Sequence, residues 1–123
     1  MIKSALIVGI GSFFGGSLRY LISIFMKSSS NQGFPWGTLT VNLLGCFLIG
    51  IIYGLFSKYS SINSTLCLLL TTGLCGGFTT FSTFANESIT MLHNGNIGTF
   101  ISYIAASLII GILLVALGYW LVK

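Results

Sequence analysis

Between Gly73 and Phe84 the chain reads GLCGGFTTFSTF, twelve residues that hold four hydroxyls and three phenyl rings. Phe81 and Phe84 stand three apart, so on a helix they share a face, while Ser82 and Thr83 between them turn away by roughly 100° and 200°. One face offers rings and the other hydroxyls. A phenyl pair in a membrane ordinarily means packing. Ring edges, however, carry the positive end of the aromatic quadrupole and can face an anion without placing a full charge in lipid. Just upstream, Gly76 and Gly77 precede Phe78, Thr79 and Thr80, a place where a helix can break. Carbonyls that lose their i+4 partners are ligands for a hard cation such as Na⁺. The alternative is a glycine-rich crossing whose threonines bond back to the preceding turn, and glycine spacing leaves both readings open.

Three further segments carry polar groups that could serve such a site. In the segment after Pro35, Trp36 suits interfacial depth and Thr38 and Asn42 lie four apart on one helix face. The Asn42 amide falls inside an apolar run and needs a partner on a neighbouring helix, a water file or an ion. Ser102, Tyr103 and Ser107 form a sparse polar line later in the chain, with Tyr103 and Ser107 four apart. Arg19 and Glu87 are isolated intramembrane charges, and Glu87 is the only acid. Each is a functional candidate by location alone, with a structural reading beside it: Arg19 snorkelling or capping carbonyls, Glu87 at the headgroups. No nucleophile–base pair, phosphate loop or metal-ligand cluster accompanies them, so the pattern does not point to an enzyme.

The elements that must position these residues are set by composition. Charged residues are 5% of the 123 and the mean hydropathy is +1.01, whereas soluble domains carry charges at roughly a quarter of positions. The reading is an all-α integral membrane protein, one domain over residues 1–123, with spans near 2–26, 38–57, 65–92 and 99–122. Each is long enough for about 30 Å of hydrocarbon. The apolar run after Lys3 is too long for a signal-peptide core and is read as a helix. Lys3, Arg19, Lys27, Lys58 and Lys123 are dispersed and mostly flank spans, which excludes a nucleic-acid patch. Cys46, Cys67 and Cys75 fall inside spans without CxxC pairing and are read as packing residues.

Four spans put both termini and Lys58 on one side, opposite Lys27. If Arg19 snorkels to the Lys27 side, the basic count is three against two, a weak orientation signal. Such a bundle can insert both ways and pair with its inverted copy, a single-chain analogue of inverted repeats. The pairs Gly11/Gly15, Gly50/Gly54 and Gly73/Gly77 permit close helix contact, either with a partner or within one monomer.

GLCGGFTTFSTF, together with GTLTVNLLG from Gly37 to Gly45 and GGSLRY from Gly15 to Tyr20, resembles the CrcB/Fluc fluoride-channel family, in the same order and across the whole chain. The resemblance implies four helices with a broken third, a dual-topology antiparallel dimer in the cell membrane, two fluoride pores and a structural Na⁺ at the two-fold axis. Carried over by motif position, Gly76 and Thr79 supply backbone carbonyls to Na⁺. Phe81 and Phe84 line the pores, Asn42, Ser82 and Thr83 are polar pore or near-pore groups, Tyr103 is a fourth-span pore neighbour and Arg19 lies toward the vestibule. Gly111 and Val115 stand where some relatives carry hydroxyls, so the fourth-span track is thin. Retention of both rings and the Na⁺ segment favours a homodimer over a heterodimer with a paralogous subunit.

The expected function is passive fluoride export that lowers cytoplasmic toxicity, with convergent donors replacing the ion's water. A proton-coupled small multidrug transporter has similar length and span number but needs an acid in the first span, where this chain has Arg19. A non-transporting assembly subunit would explain the glycines but not the ordered run from Thr79 to Phe84.

Overall fold

The computed structural model describes residues 1–29, 34–59, 61 and 63–122, and within them the only regular structure is helical. Lys123 and the Lys27 side chain, both used in weighing orientation, lie outside the described groups. Helix α1 runs Ile2–Ser29, α2 Trp36–Lys58 and α6 Ile97–Leu121. The third span is composite: α3 (Ser64–Leu68), a π-helical segment π1 (Leu69–Cys75), the short α4 (Gly76–Phe78) and α5 (Ser82–His93). Four stretches, Ile2–Met26, Trp36–Lys58, Ser64–His93 and Ile97–Leu121, are long and apolar enough to cross a membrane. The expected break in the third span is present at residues 79–81.

Local chemistry sets several of the ends. Asn63 caps α3 by accepting the Thr65 N–H at 2.7 Å through its Oδ1, satisfying a donor the first turn leaves free. Gly95, at φ +79, closes α5: its N–H bonds the Leu92 carbonyl and the Asn96 N–H reaches back to Met91. This paired bonding needs a left-handed residue, which glycine adopts without strain. The chain thus turns from α5 into α6 within three residues.

Packing follows membrane logic. Large apolar side chains face outward, among them Phe13, Leu21, Ile109, Ile112 and Trp120, because hydrocarbon solvates them as well as a protein interior does. Small and polar residues face inward. The buried positions of α2 are Thr38, Leu39, Val41, Gly45, Gly50 and Gly54, and Val41 and Tyr103 are fully buried. Leu39, Phe84, Met91 and Tyr103 form one apolar cluster, with Phe34, Leu43, Phe100 and Ile104 around it.

All three glycine pairs expected to permit close contact are used within the chain. A side chain at Gly11 would meet the Leu69 carbonyl oxygen at 2.6 Å, and one at Gly15 would overlap the Leu74 carbonyl. Gly73 and Gly77 face Gly11, Val8 and Ser12 in return, while Gly50 and Gly54 abut Val115 and Val122. So α1 lies on the first half of the third span, and α2 lies on α6.

Candidate functional site

The break is made where backbone donors leave the helical ladder for side-chain acceptors. Phe78 ends α4, and Thr79 is extended at φ −90, ψ 161. Its hydroxyl donates to the Cys75 carbonyl at 3.0 Å, and Thr71 bonds back to Cys67 in the same manner. The helix therefore breaks and its threonines also bond to the preceding turn; the two readings of the sequence coexist. Thr80 Oγ1 then accepts the Thr83 N–H at 3.3 Å, capping the incoming α5 from one residue outside it.

Each rerouted donor frees a carbonyl. In a continuous helix the Thr80 N–H would bond Gly76; here it goes to Asn42 Oδ1 at 2.8 Å. The Thr83 N–H would bond Thr79; here it goes to Thr80 Oγ1. The carbonyls of Gly76 and Thr79 have thus both lost their i+4 partners, and Gly76 is exposed with only the Thr71 carbonyl near its side-chain direction. Uncharged oxygens of this kind are the donor type a hard monovalent cation takes. A third carbonyl, that of Gly77, is occupied instead: Arg19 Nε donates to it at 3.1 Å. Of the two structural readings of Arg19, carbonyl capping is the one observed. Ser12 Oγ adds a further α1 contact, to the Gly73 carbonyl at 3.3 Å.

Beyond the break the aromatic side chains form a connected row. Phe81 is 77% exposed and Phe84 only 8%, yet their ring centroids lie 5.8 Å apart at 48°. Phe84 continues to Tyr103 at 5.0 Å, and Tyr103 meets Phe34 edge-on at 5.5 Å. The row begins on the outer surface of the span, passes through the buried Tyr103 and ends at half-buried Phe34, whose ring meets Trp36 at 4.5 Å. Ser82 is exposed and Thr83 half-buried, so hydroxyls flank the exposed end of the row.

Glu87 is half-buried and its carboxylate is bonded inside the chain. Thr38 Oγ1 donates to its Oε2 at 2.9 Å and the Tyr103 hydroxyl to its Oε1 at 2.9 Å, joining α2, α5 and α6 through one carboxylate. Sequence reading missed this trio, although the i,i+4 placement of Thr38 and Asn42 was a usable signal. These two residues share a face of α2, and both reach the third span. Glu87, Thr38, Thr83 and Asn86 line a cleft of about 500 Å³ that opens beside Trp36 and Met91. On α6, Ser107 carries the one buried side-chain oxygen without a hydrogen-bond partner among the described residues.

The third span also carries an exposed line of small and polar residues. Thr72 and Gly76 before the break, and Ser82, Asn86 and Thr90 after it, are exposed, each set spaced by four along its own helix. Hydrocarbon offers the Asn86 amide no hydrogen bonds. Among the described residues no group of three His, Cys, Asp or Glu side chains gathers at metal-ligand distance.

Residues 6–119 match the family described as CrcB-like protein, Camphor Resistance (CrcB). The chain is 50% identical over 119 residues to a fluoride-specific ion channel FluC of Phocaeicola vulgatus, covering 97% of this chain and 98% of that protein. Proteins with the same description from Clostridium perfringens (50% over 119 residues, 97% and 93% covered) and Leptospira interrogans (40% over 121 residues, 98% and 95% covered) are also similar.

Proposed function

The chain belongs to the CrcB-like family, and from that premise we propose that it is a fluoride-specific ion channel of the cell membrane, which exports fluoride passively and protects the cytoplasm from it. The observation that carries this reading is the break itself. At residues 79–81 a membrane span gives up its backbone ladder where two phenyl rings stand 5.8 Å apart beside the Ser82 and Thr83 hydroxyls. It is transport, not enzyme chemistry, that such a constellation serves.

Fluoride is small and strongly hydrated, so its path must replace water with convergent donors while staying too narrow for chloride. Ser82 and Thr83 supply hydroxyls, the edges of Phe81 and Phe84 supply positive quadrupole ends, and Asn42 and Tyr103 lie directly beside them. Arg19 draws anions toward the vestibule without standing in the path as a fixed counter-ion. No nucleotide loop is present in the sequence, and the lone acid already holds two hydrogen bonds, which supports flow down a gradient.

The working unit in this reading is an antiparallel homodimer of dual topology. The exposed polar line from Thr72 to Thr90 supports a second copy as its cover, since uncovered polar groups within a membrane span are costly. The freed carbonyls of Gly76 and Thr79 fit a structural Na⁺, which would supply positive charge binding the two copies together. Two carbonyls from one chain are fewer than such an ion takes, and a second copy doubles them.

The test is purified protein in liposomes with a fluoride electrode. Fluoride efflux that greatly exceeds chloride efflux is expected; no efflux, or equal chloride flux, would sink the reading. Replacing Na⁺ with a larger monovalent cation should lower the fraction of assembled dimer, and an unchanged fraction would remove the cation from the proposal.

A further inference from the structure

We propose that Asn42 is a positioning residue, a latch that holds the Thr80 peptide in its broken conformation, and that its carboxamide is not a principal ligand of the ion. The inference rests on the reading of the break as the ion-handling segment and adds what keeps that segment open.

Two hydrogen bonds join the Asn42 side chain to one residue. Thr80 N–H donates to Oδ1 at 2.8 Å, and Nδ2 donates to the Thr80 carbonyl at 2.9 Å. The pairing satisfies both backbone groups that the break removes from the helical ladder, as a neighbouring strand would. It also fixes the amide orientation, because a flipped carboxamide would set NH₂ against N–H and oxygen against oxygen. Of the amide's two donor hydrogens only one, the second on Nδ2, is left for anything else.

The placement of α2 supports the assignment. Three residues further along the same face, Gly45 sits so close that any side chain there would overlap the methyl group of Thr79. One turn in the other direction, Thr38 bonds Glu87 on α5. Thus α2 holds the third span at the break and below it, and Asn42 is the contact that acts on the backbone. By taking the Thr80 N–H it also keeps that donor from Gly76, whose carbonyl stays free for as long as the latch is made. A ligand role and a latch role therefore make different demands on the protein without fluoride: a ligand matters only when the ion is present, whereas a latch shapes the break at all times.

Solid-state NMR of the full-length protein in lipid bilayers separates them. In fluoride-free wild type, a close dipolar contact between Asn42 Nδ2 and the Thr80 carbonyl carbon is expected, and it persists when fluoride is added. In Asn42→Ala without fluoride, the backbone resonances of Thr79, Thr80 and Phe81 shift while those of α6 stay in place, and fluoride efflux falls by about a hundredfold, the scale of a displaced reactive group. In Asn42→Asp the acceptor to the Thr80 N–H survives and the donor to its carbonyl is lost. Efflux falls there too, with the Thr80 amide nitrogen shifted less than in the alanine variant. The proposal is overturned if the wild-type contact is absent, if fluoride dissolves it, or if Asn42→Ala leaves the fluoride-free break resonances unmoved. The wild-type measurement needs no variant to fold. Absence of fluoride efflux from wild-type liposomes would defeat the channel reading and leave the measured contact untouched, so the two failures are distinct.

Discussion

Before its break the third span is gripped backbone to backbone, and after it side chain to side chain. In the first half α1 presents Gly11 and Gly15 to the carbonyls of Leu69 and Leu74, and π1 and α4 present Gly73 and Gly77 in return. Arg19 and Ser12 add hydrogen bonds, but to carbonyls. In the second half α5 is held by hydroxyls on its carboxylate, Thr38 from α2 and Tyr103 from α6, and by the ring of Tyr103 against Phe84. The contrast separates two tasks. Contact between bare backbones sets distance and tolerates no added atom, while paired side chains set register and tolerate no change of hydrogen-bond sense. The first half is a mount; the second half is a chemically tuned arm carrying the rings.

The largest expected effect lies in the mount. Gly15→Val drives its side chain into the Leu74 carbonyl and against the Phe78 N–H, and should destabilise the fold by about 3 kcal/mol, read as a lower midpoint in SDS-titrated unfolding. A wild-type midpoint would show that the close approach is not needed. On the arm, Phe81→Ile should spare stability, because that ring is mostly exposed, yet reduce fluoride efflux about tenfold, equivalent to about 1.4 kcal/mol of barrier. If efflux is unchanged, the ring edges play no part in conduction. Smaller still, Thr38→Val removes one donor from Glu87 and should cost about 1 kcal/mol, the range of membrane hydrogen bonds. A double-mutant cycle with Glu87→Gln should then show coupling, and additivity would break the trio apart. At the bottom of the scale Gly9, with nothing within 4 Å of its side-chain direction, should accept Ala with a change within about 0.5 kcal/mol and normal efflux. A large loss there would mean that α1 has a neighbour on that face.

These contrasts explain why some features could be read from residue order and others could not. The four spans follow from hydropathy and length, which local sequence carries in full. The break followed from glycines next to β-branched threonines, again local chemistry. The π-helical stretch from Leu69 to Cys75 has no such signature, since its residues would also form an ordinary helix and only the fit against α1 selects the wider turn. The carboxylate partners of Glu87 were not legible, because Thr38 and Tyr103 are 49 and 16 positions away. Asn42 announced that it needed a partner but could not name Thr80. The glycine pairs stated that something approaches closely, and the approach turned out to be internal.

The wide turn of π1 has a consequence for the phase of everything beyond it. A π-helical stretch holds more residues per turn than an α-helix, so it acts as an angular offset: every later residue is rotated relative to where a uniform helix would present it. Removing Leu70 would turn the following chain by about 100°, while adding no bulk and deleting no polar side chain. Arg19 would then meet a different carbonyl, and Gly76 would take the buried place that Cys75 holds. The angular setting of the break is therefore stored in a count of residues, upstream of every side chain that uses it.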